Sequence, residues 1–314
     1  MNTEEIFTQH RSTLFGIAYR MTGTVMDAED IVQESYVRWQ RRLGAVATTD
    51  AAANDATSSP DCSIASVNSI ENPRAFLSTI TTRLCLDHMK SAQQQRERYI
   101  GPWLPTPLLT TDRREESPED LMMQTESLSI AFLVVLESLS PIERAVFLLR
   151  EVFDFEYSDV AEMVDKTEAN CRQILRRARQ HVRSQRPRFR TSPNEQAQMT
   201  ASFVQACLSG DMDSLMSLLH EDITFCSDGG GKVIAAQKLL HGRELVVKFI
   251  LNIMKQVPEG TEIRMMSLNG APSIVGFVDG VANTVMTLDV VDGEIWAVFS
   301  VRNPEKLQHL RYDE

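Results

Sequence analysis

Five cysteines are scattered over 314 residues, at positions 62, 85, 171, 207 and 226, and no two of them form a CxxC pair. That spacing excludes a disulfide framework. Six histidines form no HExxH, so no metal site is expected. Aromatic residues, at 7%, are at an ordinary level. No apolar run approaches the roughly 20 residues a membrane helix needs. Met1-Asn2-Thr3-Glu4-Glu5 carries no signal-peptide pattern. A cytoplasmic chain without a membrane partner is therefore expected. GxGxxG, GxxxxGK[ST] and GxSxG are all missing, which argues against a nucleotide cofactor and a hydrolase nucleophile. No solenoid period is present. These absences lead to an expectation of no cofactor and no catalytic residue.

What is present is size and an uneven charge. The length suits two or three domains, and 43% hydrophobic residues can fill their cores. The net charge of −11 disguises a strong local asymmetry. Residues 167–190 hold eight arginines against one acid, Glu168, whereas 191–314 hold sixteen acids and nine bases. An arginine-rich middle followed by an acidic last third reads as a nucleic-acid module joined to something else.

Hydrophobic periodicity divides the chain. Ile6, Phe7, Leu14, Ile17, Ala18 and Met21 share one face of a first helix that Gly23 ends. A second helix, capped by Asp27, places Ala28, Ile31, Val32, Ser35 and Trp39 inward. Residues 43–71 lose all period and read as a flexible insertion. Asn72-Pro73 opens a basic helix to about Gln95, with Phe76, Leu77, Ile80, Leu84 and Met89 apolar. A Pro-punctuated linker spans 99–116. Further helices are expected from Ser117-Pro118 to about Leu139, from the capping box Ser140-Pro141-Ile142-Glu143, and over Glu156–Val164. After Asp165-Lys166, Thr167 caps a last helix to about Gln185. Cys171, Ile174, Leu175, Ala178 and Val182 form its inward stripe, leaving Asn170, Arg172, Gln173, Arg176, Arg177 and Arg179 outward. A short helix, a tight turn and an arginine-studded helix spell helix-turn-helix, whose second helix enters the major groove.

Beyond 195 the period switches. Helices over about 195–209, 211–219 and 242–256 accompany strands near 223–225, 261–268, 273–278, 281–290 and 294–301. Asn269-Gly270, Asp279-Gly280 and Asp292-Gly293 are hairpin turns. The expected fold is multi-domain: two all-α domains, then an α+β domain with a curved antiparallel sheet.

Leu14-Phe15-Gly16-Ile17-Ala18-Tyr19-Arg20-Met21-Thr22-Gly23 and Asp27-Ala28-Glu29-Asp30-Ile31-Val32-Gln33-Glu34 resemble region 2 of extracytoplasmic-function sigma factors. Asn72-Pro73-Arg74 through Lys90 resembles the rest of that region, and Ser140-Pro141 through Arg183 resembles region 4. Trp103–Leu108, Asp228-Gly229-Gly230-Gly231-Lys232 and Asn303-Pro304-Glu305-Lys306-Leu307 are similar to signatures of the sigma-J-like subgroup. That subgroup carries a C-terminal SnoaL-like domain of the NTF2 superfamily.

The resemblance implies a region 2 domain over 1–98, a linker over 99–116, a region 4 domain over 117–186 and a SnoaL-like domain over 195–314. It implies that Asp30, Gln33, Glu34 and Arg38 meet the core polymerase. Arg74, Arg83 and Lys90 would contact the −10 element of promoter DNA. Asn170, Arg172, Gln173, Arg176, Arg177 and Arg179 would read the −35 element. Trp103, Leu104, Asp228, Gly229, Gly230, Gly231, Lys232, Asn303, Pro304 and Leu307 would join linker, glycine turn and tail into a regulatory contact. The glycine run lacks P-loop spacing, so a tight turn against the linker is expected rather than a phosphate cradle. The implied function is an alternative sigma factor, non-enzymatic, modulated by its last domain. The rival is a SnoaL-like enzyme or ligand sensor carrying a DNA-binding module. His220, Asp222, Asp228 or His241 would then be the pocket base, and an unidentified small molecule the ligand.

Overall fold

The computed structural model describes residues 3–53, 72–96, 99–110, 127–185 and 191–311. The helices, in chain order, are α1 (Thr3–Thr22), α2 (Val25–Ala53), α3 (Pro73–Arg96) and α4 (Ile130–Glu137). Next come α5 (Pro141–Glu151), α6 (Tyr157–Val164) and α7 (Glu168–Gln185). Then follow α8 (Pro193–Ser209), α9 (Met212–Leu218), β1 (Leu219–Asp228), β2 (Leu240–His241) and α10 (Arg243–Met254). The chain closes with β3 (Glu262–Leu268), β4 (Ala271–Val278), β5 (Val281–Val291), β6 (Glu294–Val301) and α11 (Pro304–Leu307). Two compact units result: Met1–Gln93 with Leu139–His181, and Gln94–Ser138 with Val182–Glu314. None of the described helices is long and apolar enough to cross a membrane.

The first unit is helical. Every residue expected on the inward faces of α1 and α2 is buried, down to Ala18 and Trp39 at zero exposure. Ile6, Phe7, Leu14, Val32, Trp39 and Leu77 form one core cluster. The α2 start differs from expectation. Thr24, not Asp27, is the cap: its hydroxyl accepts from the Asp27 amide at 3.2 Å and meets the Asp27 carboxylate. The Thr-x-x-Asp spacing is that of a capping box. The far end of α2 is also corrected, because the helix continues through the expected insertion to Ala53. Alanines at 45, 47, 51, 52 and 53 have the highest helix propensity, and no proline interrupts them. The remainder of that insertion, 54–71, lies outside the described residues, as does the expected helix start at Ser117.

The inward face of α3 is rotated from the expected stripe. Leu77, Thr81, Cys85 and Met89 are buried, while Phe76, Ile80 and Leu84 are half-buried on its flank. Thr81 earns its interior place through hydrogen bonds to Leu77 O and to the Ser35 hydroxyl, both at 3.0 Å. Helix α5 carries the expected capping box with Pro141 in its first turn. Its Arg144, 2% exposed, donates to Met21 O at 2.7 Å and so ties α5 to the end of α1. Asp165 takes a left-handed φ of 53° between α6 and α7, and the Thr167 hydroxyl caps α7 by accepting from Asn170 N at 3.2 Å. The helix-turn-helix is therefore formed.

The second unit is built on a six-stranded open sheet of order β2-β1-β6-β5-β4-β3. Its three hairpins turn at Asn269-Gly270, Asp279-Gly280 and Asp292-Gly293, all with positive φ at both residues. That is the type I′ geometry these pairs favour. Four ladders are antiparallel, and the fifth, β1 with β6, is parallel. Register shifts at Gly276/Phe277 and Asp289/Val290 mark bulges, which bend a sheet. The curved, helix-backed sheet is the architecture implied by the SnoaL-like resemblance.

The two sheet faces bury different things. One face packs on α8, α9 and α10 through Phe203, Leu215, Val246 and Ile250. The other face is covered by segments from the middle of the chain and from its tail: Leu104, Ile130 of α4, Leu307 and Leu310. Leu109 bridges to Leu268, and the Thr110 amide donates to Ser267 O at 3.0 Å, so the linker extends the β3 edge. Asn269, fully buried, accepts from Leu108 N and donates to Leu128 O, both at 2.9 Å. The linker and α4 thus complete this unit's core rather than spanning free of it. Helix α8 begins at Pro193, ahead of expectation, because Ser192 and Glu195 form a second capping box.

Candidate functional site

Two sites emerge, one in each unit. The first is the outer face of α7. Its stripe of Cys171, Ile174, Leu175, Ala178 and Val182 is buried, and Arg172, Gln173, Arg176, Arg177 and Arg179 are exposed, with Asn170 half-exposed. Two of the guanidiniums are engaged locally. Arg172 pairs with Glu168 at 2.8 Å and stacks over Tyr157, and Arg179 pairs with Glu151 at 2.6 Å. Both pairs are solvent-exposed, a setting in which such contacts contribute less than about 1 kcal/mol and open readily. Arg176 and Arg177 project without an ion pair among the described residues. The face is thus a cationic surface backed by a rigid apolar stripe.

The basic residues of α3 are placed differently. Arg74 donates to Phe153 O at 2.8 Å and lies over the Phe155 ring at 4.5 Å. Arg83 donates to Glu162 O at 2.8 Å. Both carbonyls belong to the α5–α6 segment. For either guanidinium to reach a phosphate, that bond must open. Lys90 is bound one turn away, to Asp87 at 2.9 Å. On α2, Asp30 and Gln33 are exposed, and Glu34 holds Arg38 at 2.8 Å across one turn. The four form a polar surface on a helix whose opposite face is core.

The second site centres on Asp228, at the end of β1, with zero exposure. Its Oδ1 accepts from Tyr99 Oη at 2.6 Å and Gly230 N at 3.0 Å. Its Oδ2 accepts from Leu104 N at 2.8 Å and Lys306 Nζ at 2.7 Å. The Lys306 ammonium also donates to Leu104 O and lies 4.1 Å from the Trp103 ring centroid. The Asp228 carbonyl receives Arg302 N at 2.7 Å and Asn303 N at 2.9 Å. A buried carboxylate is tolerated only with such a full complement of donors and a cation. Burial, reinforced by the neighbouring carboxylate, pushes the Tyr99 phenol well above its ordinary pKa. One side chain therefore clasps the linker, the glycine turn and the tail.

The remaining expected residues gather around it. Gly230 has φ 59°, and a Cβ there would lie 2.4 Å from Asn303 Nδ2. A Cβ on Gly231 would meet Ile100 at 2.9 Å, and one on Gly229 would meet Ala235 and Val233 O at 2.7 Å. The run is a tight turn against linker and tail, not a cradle. Asn303 donates to Tyr99 Oη at 2.9 Å and caps α11, where Pro304 takes the first position and Leu307 is buried. Lys232 pairs with Glu305. Trp103 lies against the Lys306 ammonium, and the Leu104 amide donates to Asp228. Tyr99 and Lys306 were not among the expected site residues. Nothing local singles out Tyr99, whereas Lys306 lies inside the Asn303–Leu307 motif and was readable, like Lys232, as a cation for this contact.

The proposed pocket bases are not brought together. Asp222 and His241 are exposed, His220 stacks on Trp296 at 3.4 Å, and Asp228 is spent on the clasp. None of the four lines the cavity enclosed between the sheet, α8 and α10.

Two family models match the helical part: Sigma-70 region 2 over residues 6–51, and Sigma-70, region 4 over residues 129–182. The ECF RNA polymerase sigma factor SigJ of Mycobacterium tuberculosis is 33% identical over 311 residues, covering 96% of this chain and 91% of its own length. The chain belongs to the ECF RNA polymerase sigma factors. Probable ECF sigma factor SigI of the same species is 29% identical, over 96% of this chain and 93% of its own. The crystal structure of M. tuberculosis SigJ matches with a TM-score of 0.70 at 32% identity, covering 97% of this chain and 98% of that one. As an alternative sigma factor, the chain serves promoter recognition and transcription initiation. The match to SigJ includes the last domain as well as the sigma regions.

Two expected results follow for this ECF sigma factor. Gly230 and Gly210 share a left-handed backbone, but only Gly230 faces another residue at its missing Cβ. Alanine at Gly210 should cost about 1–2 kcal/mol, the backbone penalty alone. Alanine at Gly230 should lower the urea midpoint further, by displacing Asn303. Equal drops would contradict the close approach. The second concerns His309, whose Nε2 lies 2.7 Å from Pro107 O and whose pKa burial lowers from the ordinary 6.5. A lowered folded pKa means that the unfolded chain takes up the proton first. His309 thus withdraws stability as pH falls below about 6.5. His309→Gln should show a smaller drop in midpoint between about pH 7.5 and about pH 5.5 than the parent. An unchanged drop would show that other groups carry it.

Proposed function

We propose that this sigma factor joins core RNA polymerase through the Asp30, Gln33, Glu34 and Arg38 surface. Helix α7 then reads the −35 element while α3 engages the −10 element. The partition of α7 into a fully buried stripe and an exposed arginine face carries the reading, because it suits a helix seated in a major groove. Chemistry then stays with the polymerase, and the cell compartment is the cytoplasm, where both polymerase and promoter lie.

The α+β domain has a supporting role in this proposal. It holds the linker between the two sigma regions through Asp228, Asn269 and Lys306, and so sets how the DNA-binding helices are presented. Run-off transcription with core polymerase tests both parts. Full-length protein should give promoter-specific product. A chain ending near residue 190 should lose it, because Leu104 and Ile130 would be stripped of their sheet. Equal product from both chains would make the last domain a passenger. No product from either, with intact fold, would overturn the sigma reading itself.

A further inference from the structure

Between the sheet and α8 and α10 lies a cavity of about 390 Å³. At roughly 30 Å³ per molecule this is the liquid volume of about a dozen waters. Its walls are predominantly aliphatic and aromatic, including Phe203, Phe225, Phe249, Ile250, Ile274 and Met286. Among the residues lining it there is no Asp, Glu, His or Lys; Arg302 is the one charged side chain.

Arg302 follows directly on β6. The register pairing Val285 with Val301 brings Thr284 and Arg302 to neighbouring positions, and pairs Ser227 with Ser300 beside them. Ser227, Thr284 and Ser300 thus accompany Arg302, and Asn252, Gln256, Thr261 and Asn283 are the other polar residues of a mainly apolar lining. The Arg302 guanidinium is half-buried and its described partner is a neutral one, Ile234 O at 2.5 Å. No carboxylate is within ion-pair distance of it among the described residues. Its pKa is lowered by burial, as expected of a cation short of compensation. Lys306, the nearest basic residue in the sequence, is already taken by Asp228, and Lys232 by Glu305.

We propose that the cavity binds an apolar monocarboxylic acid, its body against the aromatic and aliphatic walls and its carboxylate on Arg302. A guanidinium presents a planar fork that matches a carboxylate. A phosphate fits less well, since a second negative charge would find no second cation in the lining. A neutral apolar molecule would leave the half-buried guanidinium without a counter-charge. The site is independent of promoter recognition, and its binding is read without polymerase or DNA.

Isothermal titration of the full-length protein with decanoate and with 1-decanol, below the aggregation limit of each, tests this. The two probes share a chain and differ in charge. Decanoate is expected to bind at least about tenfold more tightly than the alcohol, as one charge-assisted pair allows. Arg302→Gln should bring the two within about twofold while keeping the alcohol's affinity. Should that variant fail to fold, the comparison of probes on the parent chain decides by itself. Equal binding of both probes, no binding of either up to its aggregation limit, or a preference that survives in Arg302→Gln would overturn the proposal.

Discussion

Lys306→Met is expected to destabilise the second unit by about 3–5 kcal/mol, the loss typical when one partner of a buried ion pair is removed. Methionine keeps the length and apolar stem of the lysine but removes the ammonium. Asp228, with no exposure, then retains a carboxylate that only neutral donors face. Trp103 loses the cation beside its ring, which is worth a further fraction of a kcal/mol. Urea denaturation followed by tryptophan emission reads the loss, since Trp103 and Trp296 both lie in this unit. The Asp228→Asn, Lys306→Met pair should recover part of it, because the orphaned charge is gone. A single variant within about 0.5 kcal/mol of the parent would place the pair with exposed salt bridges, contrary to its burial.

The other large effect is expected in DNA binding. Alanine at Arg172, Arg176, Arg177 and Arg179 together should abolish promoter-specific run-off transcription without unfolding the chain. All four side chains are exposed, and the buried stripe of α7 is untouched. Each arginine making a bidentate base contact is worth about 1–3 kcal/mol of discrimination. Where an arginine instead neutralises a phosphate, its removal should reduce the slope of log K against log salt by about 0.9. Arg176→Ala and Arg177→Ala should each cost more than Arg172→Ala or Arg179→Ala. The latter two must first leave Glu168 and Glu151, and their gain on binding is smaller by that amount. Filter binding of a promoter fragment over a salt series separates the cases. Unchanged binding in the fourfold variant would reject α7 as the reader.

How far the site could be read in advance depended on the range of the interaction. The arginine face of α7 was legible because a helix repeats every 3.6 residues, and its partner stripe lies within the same eighteen residues. The second capping box, Ser192-Pro193-Asn194-Glu195, carries the same signal as Ser140-Pro141-Ile142-Glu143 and was equally readable, although the helix was expected to start later. Arg74 and Arg83 were legible as basic residues on a helix but not as donors to carbonyls 79 residues away. Charge pattern says where a cation is, not which acceptor the fold brings to it.

The presence of most helices, the three Asn-Gly and Asp-Gly hairpins, the Ser140 capping box and the two faces of α7 were determined by the sequence alone, whereas the Thr24 cap and the far end of α2 were not. Each rests on backbone preference, turn chemistry or hydrophobic period over a few residues, and none of these needs a distant partner. Only the tertiary structure decided that β1 lies parallel to β6, and that the linker and α4 complete the core of the last domain. It also decided that Asp228 meets Tyr99 from 129 residues away and Lys306 from 78. Those choices depend on which distant surfaces bury one another and on which buried charge must find a cation. Local propensity is indifferent to both, so the pairing is settled by packing and desolvation once the chain has closed on itself.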